Sequence, residues 1–173
     1  MAFAVTHILI TIIILDLLRH YYFGKKKFPR YLLVVGGIAG LAPDIDIPLT
    51  WVWNAFTGSS GSLHGMFSHS LIFAAFFAIL GCYLGSDLSF LKGKKQRKKW
   101  SNIFYVIAFG WMLHVFLDCL FGGYRHFLWP FGVDTLAFCP DFHLSSHAVS
   151  IDAILLVLWF IHEEMHGLVK DYW

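Results

Sequence analysis

The chain has 173 residues, of which 58% are hydrophobic and only 14% charged, with a mean hydropathy of +0.65 and a formal net charge of +2. Soluble domains carry about 25% charged residues, so this composition excludes an ordinary water-soluble globule and points to a bilayer as the solvent. The basic runs have no interleaved aromatics, which leaves no basis for a nucleic-acid partner, and the length suits one integral membrane domain over residues 1–173. Cys82, Cys119 and Cys139 show neither a CxxC nor a paired spacing. Neither a disulfide framework nor a thiolate metal site is expected from them.

Five apolar stretches follow one another along the chain, at about 3–22, 31–53, 67–85, 102–122 and 148–167. Each approaches the roughly 20 residues that an α-helix needs to cross the hydrocarbon core. The second contains Pro43 and Pro48. A proline removes an amide donor and clashes with the preceding turn, so this helix is expected to break near Pro43. Such a break within the membrane is tolerated where it lines a cavity enclosed by protein or water. The fold expected is therefore an all-α polytopic bundle of about five transmembrane helices, the second broken at Pro43. The Gly36/Gly40 and Gly81/Gly85 pairs have the Gly-x-x-x-Gly spacing that permits close helix approach.

The connections differ in charge. Arg19, Lys25, Lys26, Lys27 and Arg30 surround the first, Lys92, Lys94, Lys95, Arg97, Lys98 and Lys99 fill the third, and Lys170 lies near the C-terminus, together 12 of the 13 Lys and Arg residues. Under the positive-inside rule these segments are cytoplasmic. The N-terminus, the 54–66 connection and the 123–147 connection are then outside, with the C-terminus inside. No Lys or Arg precedes the first apolar stretch, which argues against a cleaved signal peptide.

On this topology His7, Asp44, His69 and His114 lie about 18–24 Å above the cytoplasmic ends of their helices, on two ascending and two descending segments. His114 and Asp118 are four residues apart and share a helix face. Asp44 and Asp46 flank Ile45, and in an extended segment both carboxylates would point the same way. His64 and His69 are five apart and need a turn or helix entry between them, which Gly61 and Gly65 make plausible. Ionisable groups inside a membrane are costly and mark functional sites. Imidazole and carboxylate without thiolate suit a borderline-to-hard divalent metal. His7, Asp44, Asp46, His64, His69, His114 and Asp118 are the expected ligands, with zinc first and manganese or iron as alternatives. They outnumber the ligands of one tetrahedral ion, so one or two ions are expected. Taken singly, His7 could be a hydrogen-bonded core histidine, His114 and Asp118 a helix-packing pair, and Asp44 and Asp46 caps of the next helix.

The ordered set Thr6-His7, Ala42-Pro43-Asp44-Ile45-Asp46, His64-x4-His69-Ser70, His114-x-x-x-Asp118 and Leu128-Trp129-Pro130 resembles the YdjM family of predicted membrane-bound metal-dependent hydrolases of bacteria and archaea. The resemblance covers most of residues 5–131. It implies a multi-pass inner-membrane protein and a metal site in these residues. Family members usually carry Arg-Gly after the second histidine of the set, where this chain has Gly65 and Met66. If that arginine binds an anionic substrate, Arg125 is the only outer cation that could replace it.

The expected function is metal-assisted hydrolysis at the outer membrane face, on a lipid or lipid-linked ester or phosphoester, with His64, Asp46 and Asp118 as catalytic candidates. Alternatives are a divalent metal transporter, for which intramembrane His and Asp would be transit ligands with Asp16 the candidate below them, and a non-enzymatic protein held together by its metal. His162-Glu163-Glu164-Met165-His166 matches the His-Glu-x-x-His pattern of zinc proteases. It lies at the cytoplasmic end, where Asp16, His20 or Asp87 could supply a third ligand and a polar interfacial helix end is the simpler reading. His143 and His147 lie on the outer side and could cover or join the main cluster, whereas Ser70 beside His69 suits a supporting hydrogen-bonding role.

Overall fold

The computed structural model describes residues 4–62, 64–65, 67–121, 128–130 and 147–165, and all its regular elements among these are helical. Helix α1 spans Ala4–Leu18 and runs on into a π turn at Arg19–Phe23, closed by the Gly24 amide on the Arg19 carbonyl at 3.0 Å. Helix α2 spans Tyr31–Leu41. It tightens into a 3₁₀ turn at Ala42–Ile45, and the chain resumes as α3, Asp46–Thr57. The break expected at Pro43 is thus a change of winding within one rod. Asp44 and Asp46 sit on helical backbone, which corrects the extended geometry expected for them. Helix α3 ends on Gly58 in the left-handed region, φ 66°. After the connection, α4 (Leu71–Gly85) begins at Ser70, whose Oγ accepts the Ile72 amide at 3.3 Å. Helix α5 covers Lys94–Leu120 and α6 covers Ala148–Met165.

Three segments, Ala4–Phe23, Tyr31–Thr57 and Lys94–Leu120, are long and apolar enough to cross a membrane, while Leu71–Gly85 is apolar but shorter. With α6 they make the five expected rods. Helix α5 is the centre of the bundle, packed by α4, α2 and α1, while α2 also packs on α1 and α6 docks on α1. One apolar cluster, Leu15, Phe28, Leu32, Leu33 and Val106, fills the end of the bundle beside the Arg19–Phe23 turn.

The pattern of burial is inverted relative to a soluble protein. Thr6, His7, Thr11, Asp16, Asp46, His69, His114 and Asp118 are buried, while Val34, Ile38, Trp51, Trp53, Phe56, Phe76, Ile79 and Phe116 are exposed. Large apolar patches of this kind would associate or aggregate in water; lipid is the medium they suit. Close approach follows from glycine. A Cβ at Gly110 would lie 2.9 Å from Gly40 N and Ala39 Cβ and 3.0 Å from Gly36 O, so α5 meets α2 backbone to backbone. Gly81 and Gly85 similarly face Ser101 and Tyr105 of α5. Both Gly-x-x-x-Gly pairs therefore face neighbouring helices. The cysteine expectation needs one correction, because Cys119 is disulfide-bonded, while Cys82 is free.

Candidate metal centre

Five structural segments deliver the polar cluster. His7 comes from the first turns of α1, Asp44 from the 3₁₀ turn, Asp46 from the start of α3, and His114 and Asp118 from successive turns of α5. His64 and His69 come from the connection before α4. Gly65, at φ 78°, provides the left-handed residue that reverses the chain between them. The Trp111 indole of α5 donates to the Ser68 carbonyl at 2.8 Å, and Ser70 Oγ donates to the Trp129 carbonyl at 3.0 Å. These two bonds anchor the turn that presents His69.

The hydrogen bonds determine which nitrogen each imidazole aims at the cluster. His114 Nδ1 lies 2.7 Å from the Gly40 carbonyl oxygen, which can only accept, so Nδ1 carries the proton and Nε2 the lone pair. Ser68 Oγ spends its single hydrogen on Asp46 Oδ2, 2.5 Å away. It must therefore accept from His69 Nδ1 at 3.0 Å, and His69 Nε2 is likewise the lone-pair nitrogen. His64 Nδ1 donates to Asp46 Oδ1 at 2.8 Å, which leaves the basic character on its Nε2. Asp46 also accepts the Gly65 amide at 3.1 Å, so its carboxylate is held on both oxygens by the protein.

Two imidazole lone pairs thus face each other, with His69 Nε2 and His114 Nε2 3.2 Å apart. Around them lie Asp118 Oδ2, 3.3 Å from each, and Asp44 Oδ1, 3.6 Å from His69 and 3.5 Å from His114. Four electron-rich atoms in a buried site require a positive charge among them. Shared protons would draw charge-assisted pairs to about 2.7–2.9 Å. A tetrahedral ion with bonds of about 2.0–2.1 Å instead separates its ligands by about 3.3 Å, close to the spacing of these four donors. The residues therefore fit a divalent metal. The second oxygen of Asp118 faces His7 Nε2 at 3.4 Å, and the His7 ring stacks on His114 with centroids 3.9 Å apart. His7, Asp44 and His114 form one compact donor group, Asp44, His64 and His69 another, and His69, His114 and Asp118 a third, each with donor atoms within 4.8 Å of one another. A carboxylate with one oxygen on each side could bridge two ions.

All seven residues singled out from the sequence converge here. His147, expected as a possible addition, is exposed ahead of α6 and belongs to none of these donor groups. Arg125, His126, Asp134, Asp141, His143 and His166 lie outside the described residues. Asp87 is paired with Arg97 at 2.6 Å, whereas Asp16 and His20 do meet His162. Sequence reasoning missed Ser68, the serine that touches both Asp46 and His69. Ser70 plays its supporting hydrogen-bonding role through the Trp129 carbonyl and the Ile72 amide. Position beside a candidate ligand was a signal shared by both serines, and only the turn distinguishes them. The Gly40 carbonyl was also missed, although the Gly-x-x-x-Gly spacing marked its helix as one approached closely.

A membrane-embedded helix bundle with a buried His/Asp cluster able to hold a metal ion is the class defined by this fold and site. The chain matches the YdjM inner membrane protein family over residues 1–170, and it belongs to that family. No curated protein and no solved structure is detectably similar to it.

Proposed function

We propose that the protein is a membrane-embedded metal-dependent hydrolase acting at the non-cytoplasmic face on a lipid-linked ester or phosphoester. The observation that carries this reading is the His69, His114, Asp44 and Asp118 donor set, with both imidazole lone pairs directed inward and spacings suited to a tetrahedral ion. The N and O donors, without thiolate, favour zinc, with manganese or iron as alternatives. His7 and the second oxygen of Asp118 offer the start of a second ion's coordination. When bound, the metal polarises the scissile group and lowers the pKa of a coordinated water to about 7.

The chain's own residues divide the remaining work. Asp46 orients His69 through Ser68 and orients His64 directly, so its role is positioning. His64 takes the proton of the attacking water at Nε2, and its Nδ1–H stays on Asp46. His69, His114 and Asp118 have side chains at most 2% exposed, while those of Asp44 and His64 are 16% and 17% exposed. Substrate therefore approaches from the Asp44 and His64 side. An apolar cleft of about 480 Å³ opens there, lined by Ile38, Leu41, Ile45, Ile47 and Pro48, with Asp44 at its polar wall. A cleft of that size and character suits an acyl or prenyl chain lying beside the scissile headgroup bond.

Two features support the outer face. The basic connections lie at the other end of the bundle. The disulfide at Cys119, one residue beyond Asp118, suits an oxidising compartment.

The test is metal analysis and turnover of detergent-purified protein. Wild type should carry divalent metal and release headgroup or phosphate from membrane lipids, with both lost on chelation. Asp118→Ala should lower turnover by at least about 100-fold while its helical spectrum and monodispersity persist. Undiminished turnover in that variant would sink the proposal, as would metal flux into proteoliposomes without hydrolysis.

A further inference from the structure

A second group of metal-ligating residues lies at the other end of α1. Asp16 and His20 are four residues apart on one face, and α6 brings His162 against them. His162 Nδ1 is 3.4 Å from Asp16 Oδ2, while His20 Nδ1, 3.0 Å from the Asp16 carbonyl oxygen, carries its proton and leaves the ring's lone pair on Nε2; donor atoms of the three residues lie within 4.8 Å of one another. The two rings meet edge to face with centroids 5.2 Å apart. Nine residues of helix separate Asp16 from His7, about 14 Å of rise, so this group is distinct from the cluster near His7.

We propose that Asp16, His20 and His162 form a second, structural divalent-metal site that fastens α6 to α1. Three observations support it. First, Asp16 is 1% exposed and its Oδ2, the oxygen facing both rings, is buried without a hydrogen bond among the described residues. A buried carboxylate oxygen left so is costly unless a cation completes it. Second, the positive charge already present meets the other oxygen of the carboxylate. Arg19 reaches Asp16 through Oδ1 at 3.4 Å and is itself tied to the Phe28 carbonyl at 3.1 Å. Third, the separation of His162 Nδ1 from Asp16 Oδ2 is close to the roughly 3.3 Å edge of a tetrahedral site, as in the centre described above. Glu163, buried and with its Oε1 3.9 Å from His162 Nδ1, stands beside the group as a fourth donor. The π turn that starts at Arg19 places His20 where the helix widens, a local geometry often found at functional positions. The donors suit zinc, and three or four protein ligands with burial suit a closed structural site.

The helix docked in this way turns Asp152, Trp159, His162 and Glu163 inward while Val149, Leu156, Val157 and Phe160 stay exposed, and a further polar tie to α1 is the Thr6 hydroxyl on Asp152 at 2.5 Å. A metal at Asp16 would therefore link the two ends of the sequence at the far end of the α1–α6 contact.

The experiment titrates Zn²⁺ into chelator-stripped full-length protein in detergent, in wild type, Asp118→Ala, His162→Asn and the Asp118→Ala/His162→Asn double variant. Asparagine keeps a nitrogen donor near the position of Nδ1, so the contact with Asp16 persists while metal ligation is lost. The expected result is loss of one zinc equivalent per chain on His162→Asn in both backgrounds, with the zinc-induced rise in Tm reduced. His20→Gln should lose the same equivalent, which guards against misfolding of one variant. Unchanged stoichiometry in His162→Asn and His20→Gln would overturn the proposal and leave Asp16 as a packing partner. Loss confined to Asp118→Ala would also overturn it while leaving the first centre intact.

Discussion

Ser68 shows how one hydroxyl can determine the chemistry of a site. Its hydrogen goes to Asp46, so its lone pair must receive His69 Nδ1–H, and the His69 lone pair must then face His114. Removing it leaves Asp46 and His69 3.3 Å apart without the intermediary and frees the ring to choose its tautomer. Supporting groups of this kind typically govern about 10–100-fold in metal affinity. Ser68→Ala should lower zinc affinity at the first centre by about that factor, measured by competition with a chromogenic chelator, with folding retained. An unchanged affinity would show that Asp46 orients His69 unaided.

At the scale of elements, the decisive contact is the crossing of α2 and α5. Gly110 lies against Gly36 and Gly40 closely enough for a Cβ to meet backbone atoms at 2.9–3.0 Å, and backbone cannot move aside as a flexible side chain can. One turn further along α5, His114 uses that closeness to reach the Gly40 carbonyl. Gly110→Ala should therefore separate the helices, costing about 1–3 kcal/mol and weakening metal binding together with stability. Gly61→Ala, where a Cβ meets open space, should leave both unchanged within about 0.5 kcal/mol. Thermal melts with and without zinc check the pair. Equal effects at both positions would remove the crossing from the account. The Pro43 break belongs to the same scale. A regular helix through Asp44 and Asp46 would place them on different sides, whereas the 3₁₀ turn lets Asp44 face His69 and His114 while Asp46 reaches back to His64.

For the whole molecule, the arrangement is a bundle with polar groups inside and apolar groups outside, with the His7 cluster towards one end and the basic connections at the other. If the positive-inside rule sets its orientation, a cysteine placed at Ser59 should react with a membrane-impermeant maleimide from outside intact cells. One at Lys26 should react only after lysis, both measured in a Cys82→Ser background. Labelling in the opposite sense would put the His/Asp cluster on the cytoplasmic side and change the substrates open to the proposed hydrolase.

The apolar runs, the proline and the charge asymmetry were enough to lay out five rods and to bring His7, Asp44, Asp46, His64, His69, His114 and Asp118 to one level. Those inferences work because a bilayer imposes length and polarity on each segment independently of its neighbours. The roles within the cluster were not legible in this way. Whether Asp46 faces the centre of the cluster or supports its neighbours, which serine sets the His69 tautomer, and whether His162 reaches Asp16 all depend on side chains from segments far apart in sequence. Linear spacing specifies a helix face but not the rotation of that helix against its neighbours. Backbone contact at Gly36, Gly40 and Gly110 sets that rotation for α2 and α5. Tertiary packing therefore decided which atoms meet, while the sequence alone had determined the level at which they could do so.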